Sequence, residues 1–130
     1  MEKTLMFSQL RQLTASAWQA LEPVFHGHDF DSEIKKGHCQ LWQVEPVGLY
    51  LITRIEKEEL VICCAAGQAL AKAGVYVLAG AINQGVKSVR FHTKRPALAR
   101  LLNKAGFRFR LVGRKGTESI YRMGVQNGRA

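Results

Sequence analysis

At 130 residues the chain has the length of one domain with one core, and it is too short for a two-domain enzyme. With 47% hydrophobic and 22% charged residues, 12 Gly and 3 Pro, it is too apolar for a disordered chain and has the composition of a soluble globular protein. Its formal net charge of +9 is unevenly placed, because residues 1–85 carry 7 Lys or Arg against 9 Asp or Glu while residues 86–130 carry 12 against one.

From Thr4 to Leu21 the apolar residues Met6, Leu10, Leu13, Ala17 and Trp18 recur at three- and four-residue steps, which predicts a first helix closed by Pro23. Asp31 is positioned to cap a short second helix through Lys36, ended by Gly37. The texture then turns to a period of two. Cys39–Val44 and Leu49–Ile55 read as an antiparallel hairpin about Glu45–Gly48, and the uninterrupted apolar run Leu60–Ala65 as a strand buried on both faces.

Helical spacing returns at Leu70, Gly74, Val77, Leu78, Ala81 and Ile82, stopped by Asn83, Gln84 and Gly85, and Val86–His92 is a further strand. Strand, helix and strand within residues 60–92 have the length of a parallel crossover unit. Pro96 opens another helix carried by Leu98, Leu101 and Leu102 and ended by Gly106. Phe107–Val112 and Ser119–Met123 close the chain as a hairpin around Gly113–Gly116, with residues 1–3 and 124–130 expected as loose ends. The expected architecture is a single α/β domain over 1–130, a mixed sheet with packed helices in the order α-α-β-β-β-α-β-α-β-β.

No run of about 18 uncharged apolar residues is present, and the start has no hydrophobic core for a signal peptide, so a cytoplasmic address without membrane contact is expected. Cys39, Cys63 and Cys64 are an odd number, the adjacent pair inside an apolar run, and are expected as free thiols in a reducing compartment. His26, His28, Asp31, His38 and Cys39 lack the paired spacing of a zinc site, and no metal is assigned. Trp18 and Trp42 are expected in the core, and an uncovered edge of the first helix would favour self-association.

The element order and the segment AGFRF, Ala105–Phe109, resemble the Gcn5-related N-acetyltransferase (GNAT) fold, whose last helix is commonly followed by a glycine-phenylalanine step. The short amino-terminal helix, the HCQLW segment His38–Trp42 and the minimal carboxyl end are similar to small GNAT-like proteins of bacteriophages and prophages. The resemblance spans residues 4–123. It implies an acetyl-CoA site at the loop after the central strand, where family enzymes carry Arg or Gln, two residues, Gly, one residue, and Gly or Ala. The matching register is Gln68, Ala69, Leu70, Ala71, Lys72 and Ala73, with Ala71 in place of the key Gly. Cys64, Ala65, Gly67, Gln68, Ala71, Lys72 and Ala73 are the candidate cofactor contacts, since amides at a helix start suit a pyrophosphate. The alternative reading is that Gly67 and Gln68 only turn the chain and that the alanines are small for packing.

The tyrosine that many family members place four residues before that glycine is here Leu102, which has no proton to give. Glu58 and Glu59 precede the central strand, but a run of acids in a turn is usually solvated, and strand cysteines such as Cys63 and Cys64 are usually inert, so no catalytic residue is assigned. In the last third, Lys94, Arg95, Arg100, Lys104, Arg108 and Arg110 form a candidate anion or nucleic-acid patch without any sequence-reading motif; a solubilising face is the simpler reading. The leading expectation is a phage or prophage GNAT-like protein with a degenerate acetyl-CoA site, serving as a non-catalytic accessory or virion-assembly protein that associates with the virion and meets an acidic protein or virion component. The alternatives are an acyl-CoA-dependent N-acetyltransferase and a basic module binding nucleic acid non-specifically.

Overall fold

The computed structural model describes residues 4–125. The elements are β1 (Met6–Leu10), α1 (Ala15–Leu21), a 3-10 turn (Glu22–Val24), α2 (Phe30–Lys35), β2 (Gln40–Glu45), β3 (Leu49–Glu56), β4 (Glu59–Ala66), α3 (Leu70–Asn83), β5 (Ser88–Thr93), α4 (Pro96–Lys104), β6 (Arg110–Lys115) and β7 (Glu118–Gly124). The strands lie in one mixed sheet in the order β1-β2-β3-β4-β5-β7-β6. β4 and β5 are parallel, with Glu59–Ile62 in register with Ser88–Phe91, as the crossover reading of residues 60–92 requires. The β1–β2, β2–β3, β5–β7 and β6–β7 pairs are antiparallel. Among the described residues no helix is long and apolar enough to cross a membrane.

The chain packs as two compact units that both draw on β4: residues through Arg54 with Cys63–Ala73, and Ile55–Ile62 with the chain from Gly74 onward. In the first, Leu41, Tyr50 and Ile52 from β2 and β3 pack with Ala17 and Leu21 of α1, Phe30 and Ile34 of α2, and the thiols Cys39 and Cys64. Full burial of side chains such as Leu21, Leu41 and Ile52 contributes about 1.5–3 kcal/mol each. The second unit buries Val89 and Phe91 of β5, Ala99 and Leu102 of α4, Phe109 and Met123. Phe109 meets Phe91 edge-on at 4.8 Å between ring centroids, a favoured aromatic arrangement.

The amino-terminal helix expected from Thr4 divides in two. Residues 6–10 are an edge strand paired antiparallel with β2, from Met6 opposite Glu45 to Leu10 opposite Leu41. The helix starts only at Ala15, where the Thr14 hydroxyl accepts the Ala17 N–H at 3.1 Å. Trp18 is 42% exposed, and its indole N–H donates to Glu22 Oε2 at 2.7 Å, so it is not a core residue as expected. The cap of α2 is Asp29, whose Oδ1 accepts the Ser32 N–H at 3.0 Å, while Asp31 instead pairs with Lys35. The first strand of the closing hairpin begins at Arg110 instead of Phe107, while the second extends the expected Ser119–Met123 by one residue at each end. Phe107–Phe109 precede β6, the chain reverses at Gly116 and Thr117, and Gly113 lies within a strand beside an irregularity at Val112. Phe109 does not need strand partners because the Asn103 side chain accepts its N–H at 2.8 Å and donates to its carbonyl at 2.9 Å. Gly124 is the last residue of β7, and the Val125 N–H donates to the Lys87 carbonyl at 2.8 Å, so the expected loose end does not begin at 124. Residues 1–3 and 126–130 lie outside the described residues.

Candidate functional site

The turn from β4 into α3 is built by backbone rather than by side chains. Gly67 has φ +131°, a region that side-chain-bearing residues rarely occupy. A Cβ there would lie 2.7 Å from Leu49 Cα and would overlap the Gly48 carbonyl oxygen, so the turn runs hard against the turn between β2 and β3. Two residues on, Ala69 sits at φ +63°, a left-handed conformation that costs a non-glycine residue about 1–2 kcal/mol. Its carbonyl accepts the Ala73 N–H at 2.9 Å and so closes the first turn of α3.

The consequence is a row of donors. The N–H groups of Leu70 and Ala71 precede that first helical hydrogen bond and have no acceptor within the helix. They stand at the positive end of a 14-residue helix, where an anion is favoured. Gly67 and Gln68 are exposed, Ala69 to Ala71 are half-buried, and no acidic residue occurs between Glu59 and Glu118. A pyrophosphate fits this chemistry: small side chains and backbone donors, on a segment that carries no carboxylate of its own.

The other expected contacts divide by burial. Ala65 and Lys72 are half-buried. The Cys64 side chain turns into the core, where Sγ donates to the Val24 carbonyl at 3.8 Å. Ala73 is fully buried, so its small side chain serves packing. The next residue, Gly74, belongs to the helical spacing of α3 and carries no expected site role. A Cβ on it would lie 2.9 Å from Phe107 Cζ, so α3 takes up its place against the AGFRF segment through a glycine. A third small residue directly after Ala71 and Ala73 is the signal that could have found it.

The positions weighed for proton transfer in the sequence are buried or already paired. Leu102, at the position of the family's tyrosine, is buried. Glu58 pairs with Lys87 at 3.0 Å on the surface. Glu59 accepts from Ser88 Oγ at 2.7 Å, Arg90 Nη1 at 2.8 Å and Arg122 Nε at 2.5 Å, while Arg90 Nη2 also reaches Glu56 at 3.0 Å. Burial opposes ionisation of Glu59, but the hydrogen bonds from Arg122 and Ser88 and the charges of Arg122 and Arg90 outweigh it and hold the carboxyl below its usual range. A carboxylate so stabilised is a poor base, and this charged recess of about 410 Å³ reads as an ionic clasp between β4, β5 and β7. Burial pushes the Cys39 thiol up, against the opposing pull of Arg54 and a hydrogen bond with Cys63, which keeps it protonated and unreactive. All three cysteines are free thiols.

His28 packs on the Phe30 ring at 4.3 Å and His38 Nδ1 meets Glu33 Oε2 at 2.9 Å. Among the described residues no group of three or more His, Cys, Asp or Glu converges as metal ligands do. The basic candidates Lys94, Arg95, Arg100, Lys104, Arg108 and Arg110 are all exposed, on α4 and the segments flanking it.

No protein-family profile matches the sequence, and no curated protein matches it. Solved structures do. An acetyltransferase of Bacillus subtilis in complex with CoA superposes with a TM-score of 0.70 at 12% identity, over 95% of this chain and 100% of that one. The PaiA N-acetyltransferase of Thermoplasma acidophilum, in complex with coenzyme A, gives 0.63 at 9% identity, over 94% and 99%. A GNAT-family acetyltransferase of Listeria monocytogenes gives 0.55 at 16% identity, over 79% and 75%. The chain therefore has the GNAT acetyltransferase fold, from its edge strand to its closing hairpin.

Proposed function

We propose that this protein is an acyl-CoA-binding member of the GNAT fold class in which the Gly67–Ala71 turn and the start of α3 hold the pyrophosphate and catalytic turnover has been lost. The observation that carries the binding half is the turn itself. Gly67 and Ala69 both take left-handed backbone conformations, and the outcome is a helix start that presents amides beside small side chains. Two of the compared structures bind CoA on the same fold, which supports the choice of anion.

The departures from the family support the loss of turnover. Ala71 at the key glycine adds a methyl group to the approach of the phosphates. Leu102 offers no proton to a departing thiolate, and Glu58 and Glu59 are held in ion pairs. If acyl-CoA is bound, it supplies the activated thioester; the chain supplies backbone donors that orient it. The further reading, an accessory protein of a phage or prophage that engages a virion component or another acidic protein, rests on the sequence resemblance alone.

Acetyl-CoA titrated against the full chain is expected to raise its melting temperature, since a ligand of the folded state stabilises it. Ala71→Glu keeps a good helix former and places a carboxylate where the dipole favours one, yet repels a pyrophosphate. That variant should fold and lose the shift. Release of free thiol from acetyl-CoA across a panel of amines should stay at the uncatalysed rate; brisk release would restore the N-acetyltransferase reading.

A further inference from the structure

We propose that α4 and the edge strand β6 form a second binding surface, for the phosphodiester backbone of a nucleic acid, apart from the β4–α3 turn. Between Glu59 and Glu118 the sequence has no acidic residue. Within that span Lys94, Arg95, Arg100, Lys104, Arg108 and Arg110, followed by Arg114 and Lys115 on β6, are all exposed. Among the described residues none of these eight has a carboxylate partner, whereas Lys35, Lys87, Arg90 and Arg122 each hold one within 3.0 Å.

The arrangement works against the folded state in the absence of an anion. Arg100 and Lys104 are four apart on α4, a spacing at which like charges cost a few tenths of a kcal/mol. Arg110 stands directly opposite Arg122 across the β6–β7 ladder, where Glu59 already compensates the Arg122 charge. A bound polyanion relieves the Arg100–Lys104 repulsion. A surface kept only for solubility gains nothing from it.

Length and chemistry select the ligand. The two Asn103 hydrogen bonds to Phe109 pin the end of α4 to the segment that enters β6, the edge strand of the sheet, so the two cation-bearing elements are joined at that point. Six residues of extended strand span about 20 Å, the axial reach of five or six phosphates on one strand of a duplex. Five of the eight are arginines, whose planar fork matches phosphate oxygens. A surface of one sign throughout complements a ligand of one sign throughout, which a nucleic acid is and a protein surface of mixed charge is not. No base-reading element accompanies the cations, so binding is indifferent to sequence.

The test is fluorescence anisotropy of the full chain, without CoA, against a labelled duplex of arbitrary sequence about 20 base pairs long. With four or five phosphate contacts, affinity should fall roughly 150- to 500-fold between about 50 and 200 mM salt. The double variant R100E/K104E, at two exposed helix positions, should weaken binding at least about tenfold and flatten the salt dependence by about two contacts, with an unchanged melting temperature. Lys36→Glu, exposed in the first unit, should change neither. The proposal is overturned by absence of binding at about 50 mM salt, by binding that neither salt nor charge reversal weakens, or by polyglutamate binding as tightly as DNA, which would assign the surface to an acidic protein. Because CoA is left out, failure here leaves the acyl-CoA reading standing, and the reverse holds too.

Discussion

Replacing Gly67 with alanine probes the one close approach on which the proposed coenzyme turn depends. Two costs combine. An alanine at φ +131° carries backbone strain of about 1–3 kcal/mol. Its Cβ would meet Leu49 Cα at 2.7 Å and overlap the Gly48 carbonyl, backbone atoms that cannot rotate away, for a further 1–3 kcal/mol or so. Gly106→Ala supplies the comparison, because φ there is +109° but nothing lies within 4 Å of the added carbon, leaving strain alone. Gly80→Ala, in open space within α3, should stabilise by about 0.5–1 kcal/mol. Urea unfolding of the three variants beside the parent chain should rank them G80A, parent, G106A, G67A, with G67A the lowest by a clear margin. If G67A proves no worse than G106A, the turn does not run against Gly48 and Leu49, and its backbone donors are not held as described.

Two further perturbations address the packing of the two units, one in each. Glu59→Gln leaves Arg90, only 17% exposed in its side chain, without its principal counter-charge, and should cost about 2 kcal/mol at neutral pH. Because the Glu59 carboxyl is held below its unfolded value, its stabilisation is complete above the unfolded glutamate pKa of about 4.3 and fades as pH falls through the lower folded value. Unfolding measured near neutrality and in that acid window should therefore show the gap between parent and variant closing with acid; a gap that stays constant would contradict the ionic clasp. In the first unit, Thr53→Val removes the acceptor of the Trp42 indole N–H at 3.0 Å, and should lower stability by about 1 kcal/mol and shift the tryptophan emission. An unaltered spectrum would mean that the bond is not made.

What was legible in the sequence followed local rules. The continuous run Leu60–Ala65, the helical spacing from Leu70 and the strand around Val89 and Phe91 gave the parallel unit, because burial and period are written into neighbouring residues. Pro96 and Gly106 bracketed α4 by their backbone preferences. What was hidden depended on distant partners. Met6 and Leu10 fit a helical stripe by spacing, but pairing with β2 makes their segment a strand, and only the alternation of buried Leu5 and half-buried Phe7 with exposed neighbours hinted at it. Phe107–Phe109 read as strand until the Asn103 side chain is seen to satisfy the Phe109 backbone. At the proposed coenzyme turn, Gln68 to Ala73 could be aligned by type, yet the conformations of Gly67 and Ala69 and the contact of Gly74 with Phe107 come from tertiary packing.

Amide NMR of the full chain titrated with acetyl-CoA tests the central claim most directly, since it reads the proposed donors one by one. Saturable shifts should appear at Gly67, Leu70 and Ala71 and be abolished in Ala71→Glu. Silence at millimolar acetyl-CoA, or shifts confined to the cations of α4 and β6, would contradict it.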